Sequence, residues 1–69
     1  MITFTVEYER EADGRWLAEV IELPGVPAYG GTENEAIAKA QALALRVLAD
    51  RLEHGEGKPE FVSISFAAA

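Results

Sequence analysis

The sequence predicts an α+β domain in which a three-stranded antiparallel meander feeds one long helix and then a fourth strand. Residues 2–9 alternate between apolar and polar side chains, which is typical of a half-buried strand. Residues 33–54 contain neither proline nor glycine and are rich in alanine and leucine, which favours a helix. Between them, residues 22–36 combine a Pro-Gly turn with a Thr-x-x-Glu helix start.

The first half of the chain predicts the meander. Asp13-Gly14 is a hairpin turn signal, and it separates the first strand from a second strand over residues 15–22. Pro24-Gly25 ends that second strand, and a short third strand is expected over residues 26–30. Pro27 favours an edge position for the third strand, because proline cannot donate to the ladder. The buried face of the first two strands is expected to carry Ile2, Phe4, Val6, Tyr8, Trp16, Ala18 and Val20.

The second half predicts the helix and the last strand. Thr32 is the expected N-cap: its hydroxyl accepts from the Glu35 N–H, and the Glu35 carboxylate reaches back to the Thr32 N–H. Gly55 is expected to end the helix, and a fourth strand is predicted over residues 61–66, followed by a frayed alanine tail. A right-handed crossover would lay this strand beside the first and parallel to it. The core stripe of the helix is predicted as Ile37, Ala40, Ala44, Val47, Leu48 and Arg51, widened by Ala36 and Leu43.

Length and charge narrow the range of functions. Sixty-nine residues predict one domain, 1–69, that is marginal in stability by itself and has no cysteine to reinforce it. A formal net charge of −6 disfavours direct binding of nucleic acid and suits a basic protein partner. Neither a signal peptide nor a membrane-spanning segment is predicted, so a cytoplasmic protein without membrane contact is expected.

The sequence predicts no catalytic residues, no metal ligands and no cofactor site. His54 is placed at the helix C-terminus, where it complements the helix dipole. Glu7 and Glu19 are candidate neighbours on the face of the sheet opposite the helix. Two close carboxylates can hold a divalent ion, which leaves open a minimal metal-dependent hydrolase; two solvated carboxylates are the simpler interpretation.

Apolar side chains outside the predicted core indicate an interaction surface. Leu17, Ile21 and Phe61 fall on the face of the sheet that the helix does not cover. Leu45 lies in a second apolar line of the helix, with Ala38, Ala42, Ala49 and Leu52. A partner or oligomer interface is therefore predicted, and a homodimer or larger assembly is expected because so small a fold gains stability from association. The predicted interface residues are Leu17, Glu19, Ile21, Leu45 and Phe61.

The order and spacing of these motifs resemble the HicB-like antitoxin family of bacterial HicA–HicB toxin–antitoxin pairs. The matching features are a strand opening at 2–8, the Asp-Gly turn at 13–14, an aromatic second strand at 16–20, Glu-Leu-Pro-Gly at 22–25 and Gly-Gly-Thr-Glu-Asn-Glu-Ala at 30–36.

The resemblance implies a reduced ribonuclease-H-like β-β-β-α-β fold and a non-enzymatic antitoxin that binds a small basic ribonuclease toxin and masks its active site. Many family members also carry a C-terminal DNA-binding segment. This sequence ends at Ala69, directly after the fourth predicted strand, so DNA binding is not expected of it. Some short members of the family act without an evident toxin, and an orphan self-assembling regulatory domain is the alternative.

Overall fold

The computed structural model describes residues 2–23, 25, 27–55 and 63–69. Its sheet has the strand order β3-β2-β1-β4, with β1 antiparallel to β2, β2 antiparallel to β3, and β4 parallel to β1. The predicted β-β-β-α-β fold, with its fourth strand beside the first, is confirmed. The elements are β1 (Ile2–Arg10), β2 (Trp16–Val20), β3 (Ala28–Gly30), α1 (Glu33–Glu53) and β4 (Ile64–Ala68).

The hairpin between β1 and β2 turns where the Asp-Gly signal predicted. The Glu11 N–H donates to the Arg15 carbonyl at 2.7 Å, and the Gly14 N–H donates to the Glu11 carbonyl at 3.0 Å. Gly14 has a φ of 91°, which a residue with a side chain adopts only with strain. The Asp13 carboxylate accepts from the backbone N–H of Arg15 at 3.0 Å and from its Nε at 2.8 Å. These two bonds hold the pKa of Asp13 below its usual value.

Strands β2 and β3 are both shorter than predicted. β2 ends at Val20 rather than at residue 22, and the next residues turn, with the Leu23 N–H donating to the Val20 carbonyl at 3.0 Å. β3 begins at Ala28, after Pro27, whose missing N–H cannot enter the ladder. Val26, which the prediction placed in this strand, lies outside the described residues.

The helix lies close to the sheet through three buried alanines, Ala36, Ala40 and Ala44, which are spaced one turn apart. Gly30 of β3 is buried where the helix begins, and a Cβ added there would lie 2.6 Å from the Ala36 nitrogen. The prediction of Arg51 in the core stripe is wrong, because this residue is exposed. All of residues 49–55 are exposed, so the last turns of α1 extend beyond the sheet.

The helix N-cap is confirmed in part. The Thr32 hydroxyl accepts from the Glu35 N–H at 3.1 Å, as predicted. The Glu35 carboxylate, however, does not close the box on Thr32: it accepts from Lys39 Nζ at 3.1 Å. Lys39 first, and Gly31 to a smaller extent, lower the pKa of Glu35. At the other end, His54 is the C-cap, and Gly55 follows with a φ of 70°.

The alanine tail belongs to the sheet, so the expectation of fraying is wrong. Ala67 and Ala68 are in β4, opposite Thr5 and Val6, and the Ala69 N–H donates to the Val6 carbonyl at 3.0 Å. Residues 61 and 62 of the predicted fourth strand lie outside the described residues. Backbone hydrogen bonds to β1 hold this segment, and these bonds do not depend on the side chains. A run of alanines therefore gave no sequence signal for a strand.

The buried core of the described residues is small. Phe66 of β4 covers the core by stacking on Phe4, with the ring centroids 5.7 Å apart. Five of the eight buried residues are alanines, so the domain gains little free energy from burial of large side chains. The buried residues are Phe4, Val6, Ala18, Val20, Ala28, Ala36, Ala40 and Ala44.

Candidate functional site

The candidate site is the face of the sheet opposite α1, the open face. Strand alternation and the observed registers place every second residue of each strand on it. No described element packs over this face. It carries Thr3, Thr5, Glu7 and Glu9 of β1, Leu17 and Glu19 of β2, Tyr29 of β3, and Ser65 and Ala67 of β4, with Arg15 and Ile21 at the two ends of β2.

Glu7 and Glu19 are direct cross-strand partners at the centre of the open face. The bonds from Ile21 N–H to Thr5 O and from Glu11 N–H to Arg15 O show that odd-numbered β1 residues form the hydrogen-bonded pairs. In such pairs the two Cα atoms lie about 5.5 Å apart. The two carboxylates therefore project side by side from adjacent strands, and like charges in this position repel each other.

An apolar area adjoins the carboxylates on the β2–β3 side. Leu17 lies opposite Glu9 on one side and Tyr29 on the other. Ile21 is 43% exposed and Tyr29 is 40% exposed. The Arg15 guanidinium lies 4.6 Å from the centroid of the Tyr29 ring, a cation–π contact that holds both side chains in place.

The carboxylates and Leu17 line a shallow concavity of about 560 Å³. The ion pairs of the described residues are Arg15–Asp13, Lys39–Glu35 and His54–Asp50, so none of them neutralises a carboxylate in this concavity. A negatively charged recess beside exposed apolar side chains results. Its lining residues are Glu7, Tyr8, Glu9, Leu17, Glu19 and Ala69.

The β4 side of the open face is polar and internally bonded. The hydroxyls of Thr3 and Ser65 lie 3.2 Å apart on neighbouring strands. The Glu22 carboxylate accepts from the Thr5 N–H at 2.7 Å and from the Thr5 hydroxyl at 2.9 Å. The backbone N–H of Thr5 is the main reason that the pKa of Glu22 is below its usual value. The polar side chains in this area thus have hydrogen-bond partners within the domain, whereas the carboxylates of the concavity have no cationic partner among the described ion pairs.

The structure brings three of the five predicted interface residues together. Leu17, Glu19 and Ile21 share the open face. Leu45, which is 46% exposed, lies on α1 and therefore on the opposite side of the sheet. Phe61 lies outside the described residues.

Tyr29 belongs to the open face and was not predicted as an interface residue. Its neighbours Ala28 and Gly30 are both buried, and strand alternation then directs Tyr29 to the other face. The third strand itself was predicted over residues 26–30, but the sequence did not show which of its two faces meets the helix.

Within the described ranges, no group of three or more His, Asp or Glu side chains is arranged to hold a metal ion. His54 lies at the helix end as predicted, with Nδ1 2.8 Å from the Asp50 carbonyl oxygen and 3.2 Å from its carboxylate. Among the described residues, no helix has both the length and the apolar character needed to span a membrane.

Comparison of the chain with protein-family models, with curated proteins and with solved structures gave no match in any of the three.

Proposed function

We propose that this protein acts without catalysis, by protein–protein contact, as a HicB-like antitoxin-type domain. Its partner would be a small basic ribonuclease toxin, bound on the open face so that the toxin active site is masked. The observation that supports this most is the recess containing Glu7, Glu9 and Glu19, whose carboxylates lack a cation among the described ion pairs.

A basic partner complements this recess electrostatically. Glu7 and Glu19 repel each other across the two strands, and a lysine or arginine side chain placed between them would replace that repulsion by attraction. Arginine suits the site well, because its planar guanidinium can bond two carboxylates at once. The net charge of −6 would also steer a basic partner towards the domain.

The apolar area beside the recess supplies the other part of a protein interface. Leu17, Ile21 and Tyr29 are partly exposed next to the carboxylates, and aromatic side chains are enriched where interfaces are buried. Burying them would contribute affinity, while the charged pairs would determine the choice of partner. Direct nucleic-acid contact is not part of the proposal, because phosphates would meet the same carboxylates. The proposed antitoxin function includes a cytoplasmic location.

The proposal is tested with the purified chain and with the protein product of a neighbouring gene, if that product is small and basic. Calorimetry should detect a complex, and the chain should inhibit the partner's ribonuclease activity. The double variant Glu7→Gln/Glu19→Gln should bind at least about tenfold more weakly, because removing one partner of a buried interface charge pair costs about 2–5 kcal/mol and a tenfold change in affinity corresponds to about 1.4 kcal/mol. Asp50→Asn/Glu53→Gln is the matched control, since it removes two carboxylates from the exposed end of α1.

Two results would contradict the proposal. One is the absence of any complex with such a neighbour at micromolar concentrations. The other is a complex that is weakened as much by Asp50→Asn/Glu53→Gln as by Glu7→Gln/Glu19→Gln, because that would indicate a general charge effect and not a site.

A second candidate function, beside the orphan regulatory domain, is a minimal metal-dependent hydrolase that uses Glu7 and Glu19. Their direct cross-strand pairing favours this alternative, because two adjacent carboxylates can share a divalent cation. Titration with Mg²⁺ or Mn²⁺ separates the two functions. Binding heat that disappears in Glu7→Gln would support the hydrolase, and a flat titration would leave the protein-binding function.

A further inference from the structure

We propose that the outer edge of β4 pairs with β4 of a second copy of this chain, so that two domains share one continuous sheet. This inference does not depend on the toxin-binding function. It concerns the edge of the sheet, whereas the proposed partner would occupy the open face.

The backbone N–H and C=O groups of β4 point alternately towards β1 and away from it. The Ser63 carbonyl accepts from the Ile2 N–H at 2.7 Å, and the Ala69 N–H donates to the Val6 carbonyl at 3.0 Å. In a parallel ladder, residues whose backbone groups bond the neighbouring strand alternate with residues whose backbone groups do not. The N–H and C=O groups of residues 63, 65, 67 and 69 therefore point towards β1. The N–H and C=O groups of Ile64, Phe66 and Ala68 therefore point outward, at the edge of the sheet.

In the part of the chain that the structure describes, nothing pairs with this edge, and β4 lacks the features by which proteins prevent edge pairing. Common protections are a very short strand, a proline, a charged side chain or a bulge. The other edge strand, β3, has three residues and follows Pro27. β4 has five residues, Ile-Ser-Phe-Ala-Ala, with no charge and no proline. Of the two edges, the edge of β4 is thus the one open to another strand.

The distribution of charge favours a second copy of this chain as the partner of the β4 edge. Two copies that each carry −6 repel wherever their carboxylates approach, as they would if two open faces met. No side chain from residue 63 to residue 69 is charged, so two β4 edges can meet without placing like charges opposite each other. A basic partner, by contrast, has no side-chain carboxylate to bind on this strand.

One antiparallel register satisfies all the outward groups. With the two-fold axis at Phe66, each Phe66 lies opposite its own copy, and Ile64 lies opposite Ala68 of the second copy. Every outward N–H then has an outward carbonyl to bond. The pairing would also cover Ile64, which is 40% exposed, and would extend a core in which five of the eight buried residues that the structure describes are alanines.

Sedimentation and hydrogen exchange test the pairing in the intact chain. Sedimentation equilibrium should give twice the 7.5 kDa mass of one chain at high concentration. The amides of residues 64, 66 and 68 should become protected from exchange at least about tenfold as concentration rises through the dissociation constant. The amides of residues 65 and 67 should be protected at every concentration, because they bond β1.

Three variants isolate the edge. Ala68→Pro removes an outward donor without removing a bond to β1, and it should raise the dimer dissociation constant about tenfold or more. Ala67→Lys leaves every backbone donor in place and adds the charge that protects natural edges, so it should weaken the dimer even if the proline variant unfolds. Leu45→Lys places the same charge on α1 and should leave the dimer intact.

A monomeric mass at all concentrations would overturn the proposal. So would a dimer whose residue 64, 66 and 68 amides stay unprotected, or a dimer that Leu45→Lys dissociates and Ala67→Lys does not, since either result would assign the contact to another surface.

Discussion

The Glu22 carboxylate replaces a backbone carbonyl as the hydrogen-bond acceptor of Thr5. In the antiparallel ladder, Thr5 lies opposite Ile21, and the Ile21 N–H donates to the Thr5 carbonyl at 2.9 Å. The return bond from the Thr5 N–H goes to Glu22 Oε1 at 2.7 Å. The chain can therefore leave the sheet after Val20 without leaving the Thr5 donor unpaired. The glutamate of the Glu-Leu-Pro-Gly motif thus allows β2 to end, because its carboxylate accepts the hydrogen bond of the Thr5 N–H on the neighbouring strand β1.

Replacement of Glu22 tests this role. Glu22→Ala should lower the melting temperature by several degrees, because it removes acceptors for both the Thr5 N–H and the Thr5 hydroxyl. Glu22→Gln should have a smaller effect, since the amide oxygen can still accept one of the two bonds. Glu53→Ala, a control at the exposed end of α1, should leave the melting temperature nearly unchanged, and an equal loss in both alanine variants would argue against the capping role.

Acid should destabilise the domain through the same carboxylate. The pKa of Glu22 is lowered in the folded state, mainly by the Thr5 N–H, so the unfolded chain binds its proton more readily. The stabilisation is fully present above the unfolded value of 4.5 and is lost as the pH falls through the lower folded value. The pKa values of Asp13 and Glu35 are also lowered in the folded state, so protonation of these two side chains destabilises the domain in the same way. Urea denaturation from pH 7 to pH 3 should show this decrease, and Glu22→Gln should make it shallower.

The contact between Gly30 and the start of α1 leaves no space for a side chain. A Cβ at residue 30 would lie 2.6 Å from the Ala36 nitrogen and 3.0 Å from Glu35 Cβ. Gly30→Ala should therefore reduce the free energy of unfolding by about 1–3 kcal/mol, because backbone would have to move. Gly31→Ala is the matched control, since a Cβ there meets nothing within 4 Å. Chemical denaturation should separate the two variants clearly, and equal stabilities would contradict the close approach.

The distance between helix and sheet is set by alanines. Ala44 is 1% exposed and packs among the other buried residues of the core. Ala44→Leu should destabilise the domain by about 1–3 kcal/mol, because the larger side chain would push α1 away from the sheet. Ala49→Leu makes the same change on an exposed turn and should alter stability by less than about 0.5 kcal/mol. Similar denaturation midpoints for the two variants would show that the helix is not held this closely.

The repulsion between Glu7 and Glu19 should be measurable in the free protein. Glu19→Gln should raise the free energy of unfolding by roughly 0.5 kcal/mol, because it removes a like-charge pair directly across two strands. Added salt should stabilise the wild type more than this variant, since screening weakens the repulsion only where it exists. A destabilised variant would indicate that Glu19 has a stabilising contact, and it would weaken the argument for a site that favours cations.

The sequence alone was sufficient for the order and type of the elements. The hairpin at Asp13-Gly14, the N-cap at Thr32 and the helix that follows it depend on residues close together in the chain, so their local chemistry could be interpreted directly. The boundaries were less accurate. Arg51 fits the spacing of the core stripe, but spacing cannot show that the sheet ends before the helix does. The alanine tail has no pattern, and its pairing with β1 is made by backbone groups that every residue carries.

What only the tertiary structure decided is which distant residues meet. The sequence placed Glu7 and Glu19 on one face but could not tell that they lie opposite each other, because a shift of register would change every cross-strand partner. It identified Glu22 as part of a turn motif but not as the acceptor for Thr5, 17 residues away. Local patterns therefore predicted the elements and most of the residues on their buried faces, although Tyr8, which was predicted on the buried face of β1, is 39% exposed. Strand register and through-space packing determined the acidic recess and the edge of β4, with which no described residue pairs.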